Sequence, residues 1–362
     1  MRYADGTRFP WLGATAFQVP EMIAHGREAD AVAFLDAMRD AGISLVRVLA
    51  MARFPGFVLA PREGRAAVAR AVQLARDRDL YVEIVALADT VAYPDVPFDE
   101  QVREIGAIAA RADTAVVELA NEIQPVHPTQ SPALGDKSLL VRLGGLVPAV
   151  VPFAFGSSHG GDPGFDLYNP TTGTRPNVYL THHLERLPGD RGWRPWRQVR
   201  FCEELSARYR AYCVSDEPLR FGPTGDQDPA HVFAYGLMGR IFAVGTTFHF
   251  DSGRAAQAPT GIEREGLIAF IRGATYVPPG WEEGRVFQNA NTTGAWPQSP
   301  VGPFDEADTV RVYTSMADNE ALTVAIGVQR DPAIVWQNGF QPVEVVRNPF
   351  GYAGVWIIRA QR

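Results

Sequence analysis

Two runs of β-forming residues in this chain end in carboxylates. "AVVELANEIQ", residues 115–124, closes on Asn121-Glu122 just before Pro125, and "CVSDEPLRFG", residues 213–222, carries Asp216-Glu217. A strand with a buried character is a costly place for a carboxylate unless its charge is paired or used. Two carboxylates delivered from separate strand ends are the minimum equipment for cleaving a glycosidic bond. One protonates the leaving oxygen while the other attacks the anomeric carbon or activates water. An Asn-Glu pair alone says little, because Asn319-Glu320 in "SMADNEALTV" is explained by a turn. The alternative for Glu122 is a solvated loop carboxylate, and what separates the two is position in the fold.

That position comes from counting elements. Strand-like runs recur as "FPWLGATAF" (9–17), "SLVRVLAM" (44–51), "LYVEIVALAD" (80–89), "AVVELANE" (115–122), "VPFAFGSSH" (151–159), "NVYLTHH" (177–183), "AYCVSDE" (211–217) and "VGTTFHF" (244–250). Most starts lie 33 to 36 residues apart, room for a strand, a helix and two loops. Helical spacing of apolar residues fills the intervals in "READAVAFLDAMRDAG", "REGRAAVARAVQLARDRD", "DEQVREIGAIAARAD", "PWRQVRFCEELSARYR", "DPAHVFAYGLMGRIFA" and "GIEREGLIAFIRG". Gly42 closes the first of these as a C′ glycine. Strands alternating with helices call for a parallel sheet, since parallel neighbours need crossovers. Eight such units predict a (β/α)8 TIM barrel over residues 1–273. A doubly wound sheet is the rival, but no G-x-G-x-x-G follows the first strand. The fifth unit breaks the pattern: "GSSHGGDPGFDLYNPTTGTRP" (156–176) reads as a long loop in place of a helix. A second insert, "IQPVHPTQSPALGD", follows strand four. Beyond about Gly273, alternating runs such as "ALTVAIGVQ" and "GVWIIRA" predict a small C-terminal β-rich, sandwich-like domain over 274–362.

In a barrel, chemistry belongs at the C-terminal strand ends. The residues there are Ala16 and Phe17, Arg47, Asp89, Asn121 and Glu122, Ser157 to His159, His182 and His183, Asp216 and Glu217, and His249 with Asp251. Counting makes Glu122 the end of the fourth strand and Glu217 the end of the seventh.

On these residues the barrel portion, roughly 8–273, resembles the clan A retaining glycoside hydrolases, the cellulase- and mannanase-like barrels. "LANEIQ" matches the clan's asparagine-glutamate pair on strand four, "CVSDEPLRFG" its strand-seven glutamate, and Arg47 in "LVRVLAM" its strand-two arginine. The resemblance implies a retaining enzyme without cofactor. Glu122 would be the acid/base, protonated at rest because an anionic partner raises its pKa, and Glu217 the nucleophile, kept ionised by donors such as Arg47. Asn121 would donate to a sugar 2-hydroxyl. Retention implies carboxyl groups about 5 to 5.5 Å apart, against about 6.5 to 9.5 Å for inversion. Because neighbouring strand residues face opposite sides, only one of Asp216 and Glu217 is expected to point inward. Glu217 is the choice and Asp216 the alternative. The strand-eight stretch "TTFHFDSG" lacks the clan's tryptophan floor, leaving Phe248, His249 or Phe250 to supply a different one.

The substrate-binding candidates are Asn121, Arg47, Asp89, His182, His183 and His249, with Trp193 and Trp196 stacking on sugar rings or packing under a loop. Tyr168 and Asn169 are further cleft candidates, whereas Trp11 reads as core. Histidines at strand ends also open a metal-dependent hydrolase reading, though the first strand, "LGATAF", lacks a His-x-His pair. A non-catalytic carbohydrate-binding barrel is a further alternative, against which stands the retention of both carboxylates. Long loops after strands four, five and six predict a walled cleft for an oligo- or polysaccharide, and a blocked pocket for exo action fits equally.

Composition bounds the rest. The chain has 362 residues, 46% of them apolar, and a formal net charge of −7 with pI near 5.6. Lys137 is the only lysine and no arginine block forms a basic patch, so nucleic acid is not an expected partner. No run reaches the roughly 20 apolar residues of a membrane span. The N-terminus has no signal-peptide pattern, which leaves cytoplasmic and mature secreted forms open, as is the oligomeric state. Cys202 and Cys213 are expected as two buried thiols, with a single staple as the alternative.

Overall fold

The computed structural model describes residues 9–124, 126–159, 177–183, 194–218, 220–277, 285–288, 311–317, 319–327, 336 and 339–362. Eight parallel strands close a barrel: β1 Leu12–Thr15, β2 Leu45–Leu49, β3 Tyr81–Leu87, β4 Ala115–Gln124, β5 Phe153–His159, β6 Leu180–His183, β7 Cys213–Glu217 and β8 Gly245–Phe248. Each lies within one of the runs expected from sequence or, for β4, extends it by two residues, and each pairs with its neighbours in chain order until β8 returns to β1.

The longer helices outside the barrel are α1 Glu28–Ala41, α2 Pro61–Arg76, α3 Phe98–Ala112, α4 Lys137–Gly144, α5 Arg194–Tyr209, α6 Pro229–Phe242 and α7 Gly261–Tyr276. Alternation on the strands divides the core. On β2, Val46 and Val48 join the large apolar layer beneath the helices, while Leu45, Arg47 and Leu49 belong to the barrel interior. Helix α1 stops where Gly42 turns left-handed at φ 92°, and its amide returns to the carbonyls of Arg39 and Met38. Asp136 caps α4 by accepting from the Ser138 amide at 2.8 Å. Sequence patterning did not reveal α4, because eight residues span only about two turns and barely establish a period. A short hairpin, 52–54 with 57–59, rises after β2 and was likewise not expected.

Inside the barrel the levels differ in chemistry. The lowest is apolar and aromatic, with Trp11, Leu45, Val116, Ala154, Tyr179 and Val214 packed together. Above it sits a level of fully buried polar side chains: Thr15, Arg47, Glu83, Glu118, His183 and Asp216. Register places Thr15 opposite Arg47 and Arg47 opposite Glu83, so these three stand in one row across β1, β2 and β3.

Beyond α7 the chain forms a five-stranded antiparallel sheet: β9 Arg285–Gln288, β10 Arg311–Ala317, β11 Glu320–Ile326, β12 Gln341–Arg347 and β13 Val355–Gln361, in the order β9-β10-β11-β13-β12. The expected sandwich-like domain is, among the described residues, this single sheet, and its second layer is the barrel itself. Leu322, Val324, Ile326, Val355 and Ile357 join the barrel's apolar core. Phe233 of α6 packs on Tyr352 at 4.9 Å, and Arg272 of α7 lies 4.8 Å over the Phe350 ring. Cys202 on α5 and Cys213 on β7 are free, buried thiols. Of the loop expected in place of a fifth helix (156–176), residues 156–159 belong to β5 and the remainder falls outside the described residues, as do Tyr168 and Asn169. No helix among the described residues is long and apolar enough to cross a membrane.

Candidate active site

Arg47 is the hub. Fully buried on β2, its guanidinium donates to Glu118 Oε2 (2.6 and 3.1 Å), to Asn121 Oδ1 (2.9 Å) and to Glu217. Its Nε also lies 3.5 Å from Glu83 and 3.7 Å from Asp216, and the Phe17 ring sits 5.5 Å away. An arginine, always charged and presenting donors in a planar fork, suits such a junction better than any other cation. Burial works against its charge, but Glu118, Glu217, Asp216 and Glu83 together hold its pKa well above the usual value.

Four carboxylates around one guanidinium leave an excess of negative charge, and two groups respond. Glu83, fully buried and accepting a hydrogen bond from Tyr179 at 2.8 Å, is pushed well above the carboxylate range by burial and by Glu118 and Asp216, against the pull of Arg47. His183 moves the other way. Burial opposes its charge, yet Asp216 and Glu217 raise its pKa well above 6.5. It lies between them and the strand-four glutamate, with Nδ1 3.3 Å from Glu122 and Nε2 3.3 Å from Asp216 and 3.8 Å from Glu217.

Glu217 is held well below the ordinary carboxylate range. Its burial favours the acid form, but His183, Arg47 and His249 outweigh that. Glu122 is 7% exposed and also meets His127, whose Nδ1 stands 3.5 Å from the carboxylate. One carboxylate oxygen from each of Glu122 and Glu217 and one nitrogen of His183 lie within 4.8 Å of one another. The two glutamates singled out from sequence therefore share one pocket.

Irregular backbone delivers them. Between Ala120↔Gly156 and Gln124↔Ser158, four steps of β4 oppose two of β5, so β4 bulges at Asn121 and Glu122. Glu122 adopts φ 51°, a left-handed conformation rare outside glycine. The distortion lets both Asn121 and Glu122 reach the interior side on which Glu118 stands. A second shift sets His182 opposite Ser215 but His183 opposite Glu217. Here the expectation that Asp216 and Glu217 cannot both point inward is corrected: the extra residue on β7 brings both carboxylates to Arg47 and His183.

Other expectations divide. His249 joins the site, its Nδ1 2.8 Å from the Thr15 hydroxyl. His182, by strand alternation, faces outward and packs on Phe201 of α5 at 4.8 Å, so it is not placed to bind substrate. Asp89 is also withdrawn, because its two oxygens accept from the backbone amides of Arg53 (3.1 Å) and Ala92 (3.2 Å) and close a loop. Phe248 and Phe250 stack on each other at 4.9 Å within the core and form no floor. Trp193 lies outside the described residues, as does the side chain of Trp196. Sequence reading passed over Glu83, Glu118 and His127. The first two carried a signal: a carboxylate inside a β-forming run, at the alternation parity of the interior.

Two sets of residues have metal-ligating atoms within 4.8 Å, Glu122-His183-Glu217 and Glu118-His183-Asp216. In each, Arg47 already donates to one of the carboxylates. A guanidinium bound there supplies the positive charge that a metal ion would bring and repels a second cation, so the donor set fits Arg47 better than a metal.

No protein-family model matches this chain, and no curated protein does. Solved structures do. A glycoside hydrolase family 5 protein from Bacteroides vulgatus superposes with a TM-score of 0.62 at 12% identity, over 99% of this chain and 92% of that one. An endo-β-1,4-mannanase from Thermotoga petrophila gives 0.51 at 12% identity, again over 99% and 92%. A family 5 glycoside hydrolase from Streptomyces cattleya, solved in complex with GlcNAc, gives 0.52 at 16% identity over 74% and 81%. The chain has the fold of the family 5 glycoside hydrolase barrels.

Proposed function

We propose that this protein is a retaining glycoside hydrolase acting on O-glycosidic bonds of an oligo- or polysaccharide by double displacement. The observation that carries the reading is the approach of Glu122 and Glu217, whose carboxylate oxygens come within 4.8 Å. That spacing suits a nucleophile and an acid/base about 5 to 5.5 Å apart, and leaves little room for the water that an inverting pair admits at about 6.5 to 9.5 Å.

In the first step Glu217, ionised under Arg47 and His183, attacks the anomeric carbon. The glycosidic C–O bond breaks and its electron pair leaves with the oxygen, which takes the proton of Glu122. A glycosyl ester on Glu217 results. In the second step Glu122, now a carboxylate, removes a proton from water while the water oxygen attacks the same carbon. The Glu217 ester bond breaks, the sugar is released with its configuration retained, and both glutamates return to their starting states. His183 Nδ1, 3.3 Å from Glu122, holds that carboxyl in place beside Glu217. Asn121, its oxygen taken by Arg47, offers its NH2 to a sugar 2-hydroxyl. His249, oriented by Thr15, stands where a ring hydroxyl can reach it.

Hydrolysis of a panel of aryl glycosides and polysaccharides tests the reading. Wild type is expected to turn over at least one member, and Glu217→Gln to lose at least about 10⁴-fold in kcat. Activity surviving both Glu122→Gln and Glu217→Gln would overturn the site. Loss of activity with a chelator would point to metal-dependent hydrolysis instead.

A further inference from the structure

We propose that Gln130 is a positioning residue for the general acid, acting by locking the bulge that carries Asn121 and Glu122. The proposal rests on the assignment of Glu122 as acid/base. Glu122 needs to be held: a non-glycine residue at φ 51° is strained and persists only where its surroundings impose it. The turn following β4 supplies that constraint on both sides of the residue. The carbonyl before Glu122, that of Asn121, accepts from Gln130 Nε2 at 2.8 Å, and the carbonyl of Glu122 itself accepts from the His127 amide at 2.9 Å. Both peptide planes that set the φ and ψ of Glu122 are therefore pinned by residues 127–130.

Gln130 is built for this and for nothing at the surface. It is 2% exposed, and its Nε2 also reaches the carbonyls of Leu87 and Ala88, each at 3.0 Å, tying the end of β3 to the bulge of β4. Its Oε1 accepts from the Thr90 hydroxyl at 2.9 Å, and Thr90 in turn accepts from the Ser131 amide at 2.6 Å. The amide of Gln130 closes the turn on the His127 carbonyl at 2.8 Å. A buried carboxamide bonded at both ends has one orientation, and it transmits that orientation to Asn121 and Glu122. Loosening the clamp lets the acid move relative to the leaving oxygen, and displacement by about 1 Å costs on the order of 100-fold in rate.

Leaving-group dependence separates this role from a general loss of folding. A glycoside with an activated aryl leaving group departs without protonation, whereas an alkyl glycoside or natural linkage requires the acid. Gln130→Met, which keeps the volume and removes the donors, is expected to lower kcat/KM for the unactivated substrate about 100-fold and for the activated one less than about 5-fold. Thr90→Val frees the far end of the clamp with little change in shape. It is expected to give the same pattern more weakly, and it carries the test if Gln130→Met fails to fold. An equal loss on both substrates in the folded variant would overturn the proposal, since a smaller folded fraction scales every substrate alike. Glu122→Ala run alongside separates the two assignments. If it too loses both substrates equally, the acid/base reading fails; if it discriminates and the clamp variants do not, only the role of Gln130 fails.

Discussion

His183 shows how much of this site depends on charge balance. A neutral imidazole would be easier to bury, but beside Asp216 and Glu217 the cation is favoured and the pKa rises well above 6.5. The consequence for catalysis has a definite sign. The cationic imidazole stands beside Glu217 and favours its carboxylate, so the nucleophile stays ionised as pH falls. His183→Gln removes the first of the cations that hold Glu217 ionised, so the acid limb of the kcat/KM profile, governed by Glu217, is expected to move to higher pH. An acid limb unchanged or moved downward would contradict the assignment. The residues that report this were partly legible in the chain. Glu122, Glu217 and Arg47 stand out by their strand positions, and the resemblance to the clan A barrels supplies their expected roles. His182 and His183 were equal candidates, because a sequence cannot say which of two adjacent histidines alternation turns inward, and Asp89 sits two residues past its strand, where a carboxylate caps backbone as readily as it binds a ligand.

At the scale of elements, regular periodicity was readable and its interruptions were not. Eight strand-like runs with helical intervals give the barrel from hydrophobic pattern alone, since each pattern reflects burial on a face the fold must cover. The two bulges leave no such mark. They depend on what lies across the sheet, and they decide that Asn121, Asp216 and Glu217 all reach the pocket. Gly156 on β5 is the partner that permits the first. It has φ 152°, and a β-carbon there would stand 2.3 Å from the Ala120 carbonyl oxygen and 2.9 Å from Ile123 Cγ1. Gly156→Ala must therefore push β4 away at the base of the bulge as well as strain its own backbone. The expected outcome is a loss of about 2 kcal/mol or more by denaturant unfolding. The fall in kcat is expected to exceed the change in KM, because Glu122 moves more than the sugar contacts do. A stable variant with wild-type kcat would show that the bulge does not need this close approach.

Across the whole molecule, the C-terminal sheet is bound into the barrel's own core. Leu322, Val324 and Ile326 alternate toward the barrel, whereas Ala321 faces the far side with Phe340 and Ala360. The aromatic contacts of Phe233 with Phe350 and Tyr352 join the two parts from the helix side. A shared apolar layer of this kind implies that barrel and sheet lose structure together, because exposing either half of the layer removes the burial that stabilises the other. Ile326→Ala, at a position with no exposed surface, should cost about 2 to 5 kcal/mol. If the layer is shared, calorimetry of this variant shows one transition, as in wild type, displaced to lower temperature, with KM unchanged because the residue belongs to the C-terminal sheet and not to the group around Arg47. Two transitions, with the larger one unmoved, would mean that the barrel stands alone and that the sheet is held to it only loosely.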